Sequence, residues 1–260
     1  MEVFSVKFVN HDKLDFSNIY GVILMEVDVV GHILYNRKLG DPTCIDSEGF
    51  VTLRMPCRGI FVIGNIGLYS YLYNLELNPR FDFVGWGPGM HGPMPYKRYG
   101  QVISERVDSM FGPIEVTLAV YLSAVVASID VTLIDFEDKH MPEVYGHVKV
   151  KNNKTCDPRA VSWLFRTDNK DTVTCISRSK SGGCIALPLL RNVVVVPFDS
   201  TMIVDMCICC GDTVFASGEV MFRPKMTGKK SRFIVGSHGK IGVEVSWSRV
   251  EYDDMLGYCW

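Results

Sequence analysis

Residues Ile114 to Ile134 read IEVTLAVYLSAVVASIDVTLI, the most apolar run in the chain. In its first part Ile114, Val116, Leu118 and Val120 alternate with Glu115, Thr117 and Ala119, the period of a strand that buries one face. A membrane-spanning helix needs about 20 apolar residues in a row, whereas Glu115 and Asp130 leave 14 uncharged residues between them. The run therefore reads as β-structure: the last strand of one unit and the first of the next, meeting around Val126-Ala127-Ser128.

Both ends of this run recur elsewhere in the chain. Ser128 to Ile134 (SIDVTLI) repeats Val3 to Val9 (VFSVKFV) at an offset of 125, and Val144-Tyr145-Gly146 falls on Ile19-Tyr20-Gly21 at the same offset. Gly112, Ile114, Val116, Leu118 and Val120 match Gly239, Ile241, Val243, Val245 and Trp247 at an offset of 127. Between these blocks, VTLRMPCRGIFVI and CIALPLLRNVVVV align at an offset of 133, with Arg58 on Arg191 and Tyr69, Tyr71 and Tyr73 on Met202, Val204 and Met206. Each copy then reads as a hairpin pair turning at Gly64 to Gly67 or Pro197 to Ser200. Three blocks in one order indicate an internal duplication, and offsets that differ by a few residues are loop insertions of little energetic cost.

The expected fold is all-β: two tandem, internally duplicated antiparallel β-sandwich (or open-barrel) lobes, residues 1–126 and 127–260, packed together without a flexible linker. A short piece around Arg159 to Arg166 is the one helical candidate, with a loop as the other reading.

Composition agrees with folded domains. Of the 260 residues 47% are hydrophobic and 22% charged, too apolar for a disordered chain. The net charge of -2 provides no global field for nucleic acid or an anionic membrane, so neither is expected as a partner. Nine cysteines, an odd number spread thinly, fit a reducing compartment better than a disulfide scaffold. The opening MEVFSVK lacks the basic and apolar regions of a signal peptide. A cytoplasmic location is the resulting expectation.

Several segments in combination resemble a known family: FSVKF, IYGVILMEVD, the ILYNR at Ile33 to Arg37, MPCRGIFV, EVTLAVYLSAVVASIDVTLID and the late GKIGVEVSWSRV. They are similar to a grass-rich plant family of unknown function (domain of unknown function 6598), which occurs alone or fused to ribosome-inactivating rRNA N-glycosylase domains. The resemblance implies an all-β, non-catalytic domain in plant stress or defence proteins, with no established ligand. Two places depart from its pattern, the loop Gly85 to Pro95 and the cysteine-rich Cys207 to Cys210.

An rRNA N-glycosylase needs a glutamate with an arginine three residues later on a helix to stabilise an oxocarbenium ion, and no glutamate in the chain has that neighbour. Cys207, Cys209 and Cys210 lack a second ligand pair for a metal and read as small buried hydrophobes. His11, His32, His140, His147 and His238 form no metal-binding pattern and read as surface or hydrogen-bonded residues. Asp12 and Asp15, and Asp135, Glu137 and Asp138, follow equivalent strands, but two or three carboxylates fall short of the 6 to 8 oxygens calcium takes. No metal or cofactor is expected.

Arg58 and Arg191, and likewise Tyr20 and Tyr145, occupy matching positions and read as shared structural residues, the tyrosines bonding backbone at a sandwich edge. The basic segment Lys225 to Arg232 (KMTGKKSR) reads as a solvated loop. The loop GWGPGMHGPMP, Gly85 to Pro95, carries Trp86, Met90, His91 and Met94 and is the candidate recognition loop.

The leading expectation is a non-enzymatic interaction protein that binds an unidentified protein partner, with its oligomeric state left open. Two alternatives stand beside it: a hydrolase or glycosylase with residues assembled from both lobes, and a calcium- or lipid-binding β-sandwich module.

Overall fold

The computed structural model describes residues 1–9, 19–27, 30–38, 48–53, 60, 66–74, 98–107, 113–134, 143–167, 173–174, 176–177 and 184–249. Among these the protein is all-β and free of α-helix, with antiparallel sheets that do not close into a barrel. The chain divides into two compact units, the break falling between Leu122 and Ser123.

The first unit contains strands β1 (Glu2–Phe8), β2 (Ile19–Val27), β3 (Val30–Arg37), β4 (Ile66–Asn74), β5 (Val102–Val107) and β6 (Ile114–Ala119). They form two three-stranded sheets, β1-β6-β5 and β3-β2-β4. The second unit contains β7 (Ala124–Ile134), β8 (Glu143–Asn152), β9 (Ser162–Thr167), β10 (Val173–Thr174), β11 (Ile176–Ser177), β12 (Cys184–Ala186), β13 (Val193–Pro197), β14 (Met202–Cys210), β15 (Thr213–Phe222), β16 (Gly228–Val235) and β17 (Lys240–Ser248). One sheet runs β10-β8-β14-β15 with β9 also on β8, and the other runs β11-β12-β7-β17-β16 with β13 also on β7.

Alternation builds both cores. Val3, Val6 and Phe8 of β1 and Val116 and Leu118 of β6 share one buried cluster with Ile23, Met25, Leu34 and Leu72 of the other sheet. In the second unit Ile129, Val131 and Leu133 meet Val243 and Val245, and from the other sheet Val148, Val204 and Met206. Each unit is thus two sheets with their apolar faces together, sandwich-like. Burial of each such side chain contributes about 1.5 to 3 kcal/mol before entropy is subtracted.

The pairing registers carry the duplication from sequence into structure. Val6 lies opposite Val116, Lys7 opposite Glu115 and Phe8 opposite Ile114; Val131 lies opposite Val243, Thr132 opposite Gly242 and Leu133 opposite Ile241. The offsets of 125 and 127 carry one register onto the other from Ser5 to Phe8, and a register shift between Val3 and Ser5 that β7 and β17 lack ends the match. β2 and β3 break register between Ile23 and Leu24, and β8 and β9 break it at the equivalent Val148 and Lys149. A bulge is a local kink in a strand, and the two copies keep theirs at the same step.

Gly21 and Gly146 are equivalent, with φ of 129° and 123°. A Cβ on Gly21 would overlap the carbonyl oxygen of Tyr71, and one on Gly146 the carbonyl oxygen of Cys207. The neighbouring strand comes so close at both places that only glycine fits.

Four sequence readings are corrected. The aligned offset of 133 fails at β4, because Gly21 pairs with Leu72 and Gly146 with Ile208, an offset of 136. A shift of three, an odd number, exchanges the faces of a strand: Ile66 and Leu72 are buried like Met202 and Ile208, whereas Tyr69, Tyr71 and Tyr73 face outward. The expected hairpin at Pro197 to Ser200 is instead a crossover, since β13 pairs with β7 and β14 with β8 and β15. Its turn is closed by the Ser200 hydroxyl donating to the Pro197 carbonyl at 2.7 Å.

Arg159 to Arg166 is a turn followed by β9, with no helix. There the Asp157 carboxylate accepts from the Arg159 amide at 2.9 Å and the Asp157 carbonyl from the Ala160 amide at 3.0 Å, a single turn. Lastly, the run from Ile114 to Ile134 breaks at Val120 to Ser123, and Val126 to Ser128 lie inside β7. The alternation carries on across the break, so apolar spacing alone could not locate it.

Candidate functional site

Because the two units share a register, their outer faces can be compared residue by residue. In the first unit the outer face of β2 and β4 carries Tyr20, Val22, Leu24 and Glu26 beside Tyr69, Tyr71 and Tyr73. The rings of Tyr20 and Tyr73 stack with centroids 5.2 Å apart and planes 17° from parallel. Tyr71 is 36% exposed. Burial, then the charge and hydrogen bond of Glu26, push the Tyr69 phenol above its ordinary pKa.

The equivalent face of the second unit has a different chemistry. β8 presents Tyr145, His147, Lys149 and Lys151, each two residues from the last, so all four share one side. Facing them on β14 are Cys209, Cys207, Asp205 and Ile203, and on β9 Arg166 lies opposite His147 and Trp163 opposite Lys149. Asp205 gathers three side chains: Lys149 Nζ lies at 3.0 Å, Lys151 Nζ at 3.9 Å and the His147 imidazole Nε2 at 3.6 Å. Lys151 also donates to Glu219 at 2.8 Å. That hydrogen bond holds Lys151 above its ordinary pKa, against the opposing effect of burial.

Trp163 receives cations on its ring from Arg166 at 5.1 Å and Lys149 at 5.9 Å, and His147 meets it edge-on at 6.1 Å. Such contacts contribute about 0.5 to 1 kcal/mol each at exposed sites. The result is a braced, charged face with an aromatic centre, a geometry suited to recognition.

The candidate residues fall out as follows. Trp86, Met90, His91 and Met94 of the recognition loop, and Arg58, lie outside the described residues, as do the acidic loops at Asp12 and Asp15 and at Asp135 to Asp138. Arg191 is buried, at the entry to β13. Tyr20 stacks on Tyr73, while Tyr145 sits against Cys209; burial first, and then Cys209, push the Tyr145 phenol up. These two partners are equivalent, since Tyr20 pairs with Tyr73 and Tyr145 with Cys209.

Cys207 and Cys209 are not core residues. β14 buries Met202, Val204, Met206 and Ile208, so its cysteines take the outer face, half-buried, and Cys210 at the strand end is half-buried as well. Burial, then Cys207, push the Cys209 thiol up. Among the described residues no three histidine, cysteine or carboxylate side chains cluster as a metal site. His32 is buried, His147 half-buried, and His238 accepts from or donates to Ser237 Oγ at 2.8 Å.

The basic segment is also relocated: Lys229, Lys230 and Arg232 belong to β16, beyond a bend at Met226 and Thr227 that Lys225 precedes. Sequence reasoning passed over the face around Trp163 and Asp205. The alternation of Tyr145, His147, Lys149 and Lys151 was visible in VYGHVKVK, but its partners on β9 and β14 are distant in the chain.

No curated protein and no solved structure matches the chain significantly. A family model described as Domain of unknown function (DUF6598) matches residues 1–245, running through both units. The duplicated β-protein described above therefore belongs to the DUF6598 family.

Proposed function

We propose that the protein is a non-catalytic interaction module that docks a partner protein on the tyrosine-bearing outer face of its first unit. The observation that carries this reading is the cluster of Tyr20 stacked on Tyr73, with Tyr71 36% exposed beside them. Tyrosine supplies large, rigid contact area with a polar tip, which is why it concentrates at the centres of interfaces. Val22, Leu24 and Ile33, half-buried on the same face, extend the apolar surface. Duplication supports the reading too: one scaffold was kept, and its outer faces were free to diverge.

The setting in plant stress or defence rests on the resemblance of the strand segments. A cytoplasmic location is supported by the thiols of Cys156, Cys184, Cys207 and Cys209, which a reducing compartment would keep reduced.

The test is affinity capture from plant extract with the full chain, in parallel with a Tyr71→Ser/Tyr73→Ser variant whose melting temperature is checked. A reproducible partner held by the unaltered chain and lost by the folded variant is expected. Equal capture by both, or no reproducible partner, would refute the reading.

A further inference from the structure

We propose that the free edge of β16 is a strand-addition site for an extended acidic segment of a partner protein. It rests on the interaction reading but uses a surface of the second unit.

β16 ends its sheet and pairs only with β17 among the described residues. All of Gly228 to Phe233 is exposed, and Val235 is 71% exposed; Ile234 is the one buried residue of the strand. On one face β15 backs the strand, with Arg232 over the Phe222 ring at 5.9 Å and Ile234 against Gly218; the six successive exposed residues leave its other face and its edge open over that length. The duplicated scaffold does not require this. By the offset of 127, Lys230 is equivalent to Ile103 and Arg232 to Glu105 of β5. Ile103 packs against the core of its unit, and Glu105 pairs with Arg98 at 3.2 Å. Where the first copy has a packed isoleucine and a paired carboxylate, the second exposes two cations.

Charge identifies the occupant. Arg223 and Lys225 enter the strand, and Lys229, Lys230 and Arg232 lie on it. Among the described residues one carboxylate answers them, Glu244, 3.0 Å from Lys229. A second copy of β16 laid antiparallel on the first would set lysine and arginine against each other, which is how edge strands are kept from self-pairing. An acidic strand reverses that sign. Beyond the cations, Phe233, 59% exposed, and Val235 offer apolar cross-strand partners.

The backbone direction can be assigned as well. Gly236 N–H donates to the Gly239 carbonyl at 2.8 Å, and antiparallel bonds alternate from there. The amides of Lys230, Arg232 and Ile234 therefore point to β17, and those of Lys229, Ser231 and Phe233 point to the open side. An incoming strand would use these outward amides for main-chain bonding.

The probe is a fluorescein-labelled octapeptide of alternating glutamate and valine, with a second in which proline replaces each valine at equal charge. Fluorescence anisotropy on the full chain is expected to show the first binding about tenfold or more tightly than the second, since proline cannot complete a ladder. Lys230→Glu/Arg232→Glu is expected to weaken it by at least about tenfold. Ser231→Pro, which alters no charge and removes an outward amide together with the Ser231 hydroxyl's 3.4 Å bond to Glu244, is expected to do the same. Should Ser231→Pro fail to fold, amide exchange on the unaltered chain serves instead: the peptide slows exchange at residues 229, 231 and 233.

Equal binding of both peptides, or a folded Ser231→Pro that binds normally, overturns strand addition. Absence of peptide binding overturns the proposal outright. So does binding, in place of the peptide, of vesicles of phosphatidylserine in phosphatidylcholine or of single-stranded oligothymidylate. The Tyr71→Ser/Tyr73→Ser variant is expected to bind the peptide normally, so failure here and failure of the tyrosine face are distinguishable.

Discussion

Replacing Gly146 by alanine tests the duplicated register at one of its two points of close approach. The new Cβ would overlap the Cys207 carbonyl oxygen and lie 3.1 Å from the carbonyl carbon. A φ of 123° adds about 1 to 3 kcal/mol of strain for a residue with a side chain, and forcing β8 and β14 apart adds about 1 to 3 more. The expected loss is therefore about 4 kcal/mol. For a unit of this size each kcal/mol lowers the melting temperature by about 4 °C, so the second unit is expected to melt about 15 °C early. Gly211, with φ of 55° and nothing within 4 Å of an added Cβ, is the control: its alanine variant bears the backbone cost alone, about 1 to 2 kcal/mol. Differential scanning calorimetry of the two variants decides the matter. A Gly146→Ala protein melting within about 3 °C of the unaltered chain, or a Gly211→Ala protein falling just as far, would refute the close approach and with it the equivalence of Gly21 and Gly146.

Three further outcomes are expected. Asp205→Asn removes the carboxylate shared by Lys149, Lys151 and His147 and is expected to cost about 1 kcal/mol, shrinking in 1 M salt, by denaturant titration; a loss indifferent to salt would contradict an ionic role. Hydrogen bonds from Arg159 hold the Asp157 carboxyl below its ordinary pKa. With the folded-state pKa lower than the unfolded one, the pair stabilises above the ordinary carboxylate pKa and loses its effect as pH falls through the folded value. Arg159→Ala is accordingly expected to destabilise at neutral pH and to flatten the acid limb of the melting curve; an unchanged acid limb counts against the pair. Finally, because burial and Glu26 raise the Tyr69 pKa, Glu26→Gln is expected to shift one late-titrating phenol to lower pH in an ultraviolet titration, and an unmoved curve would rule out that contact.

The candidate sites were legible only in part. Tyr20 and Tyr145 stood out by repetition, and the structure places them at equivalent positions with different neighbours, a tyrosine ring in one case and a thiol in the other. Lys229 to Arg232 show in the sequence as charge and read as a loop, because Gly228 and the lysines have low strand propensity. What holds them in a strand is the β17 ladder, whose residues Lys240 to Ser248 read plainly as a strand. The misplaced cysteines show the same limit: in MIVDMCICC both alternating sets are largely apolar, so period alone does not say which is core.

The sequence by itself determined the class, the duplication and the alternating core positions of β7 and β17. A period of two and a repeated spacing are local properties that survive without knowledge of neighbours. Only the tertiary structure decided the rest. The offset at β4, the crossover at Pro197, the grouping of Lys149, Lys151 and His147 around Asp205 and the open edge of β16 each depend on which strand lies beside which. Cross-strand contact is set by hydrogen-bonded register between segments tens of residues apart, and along one strand nothing records it.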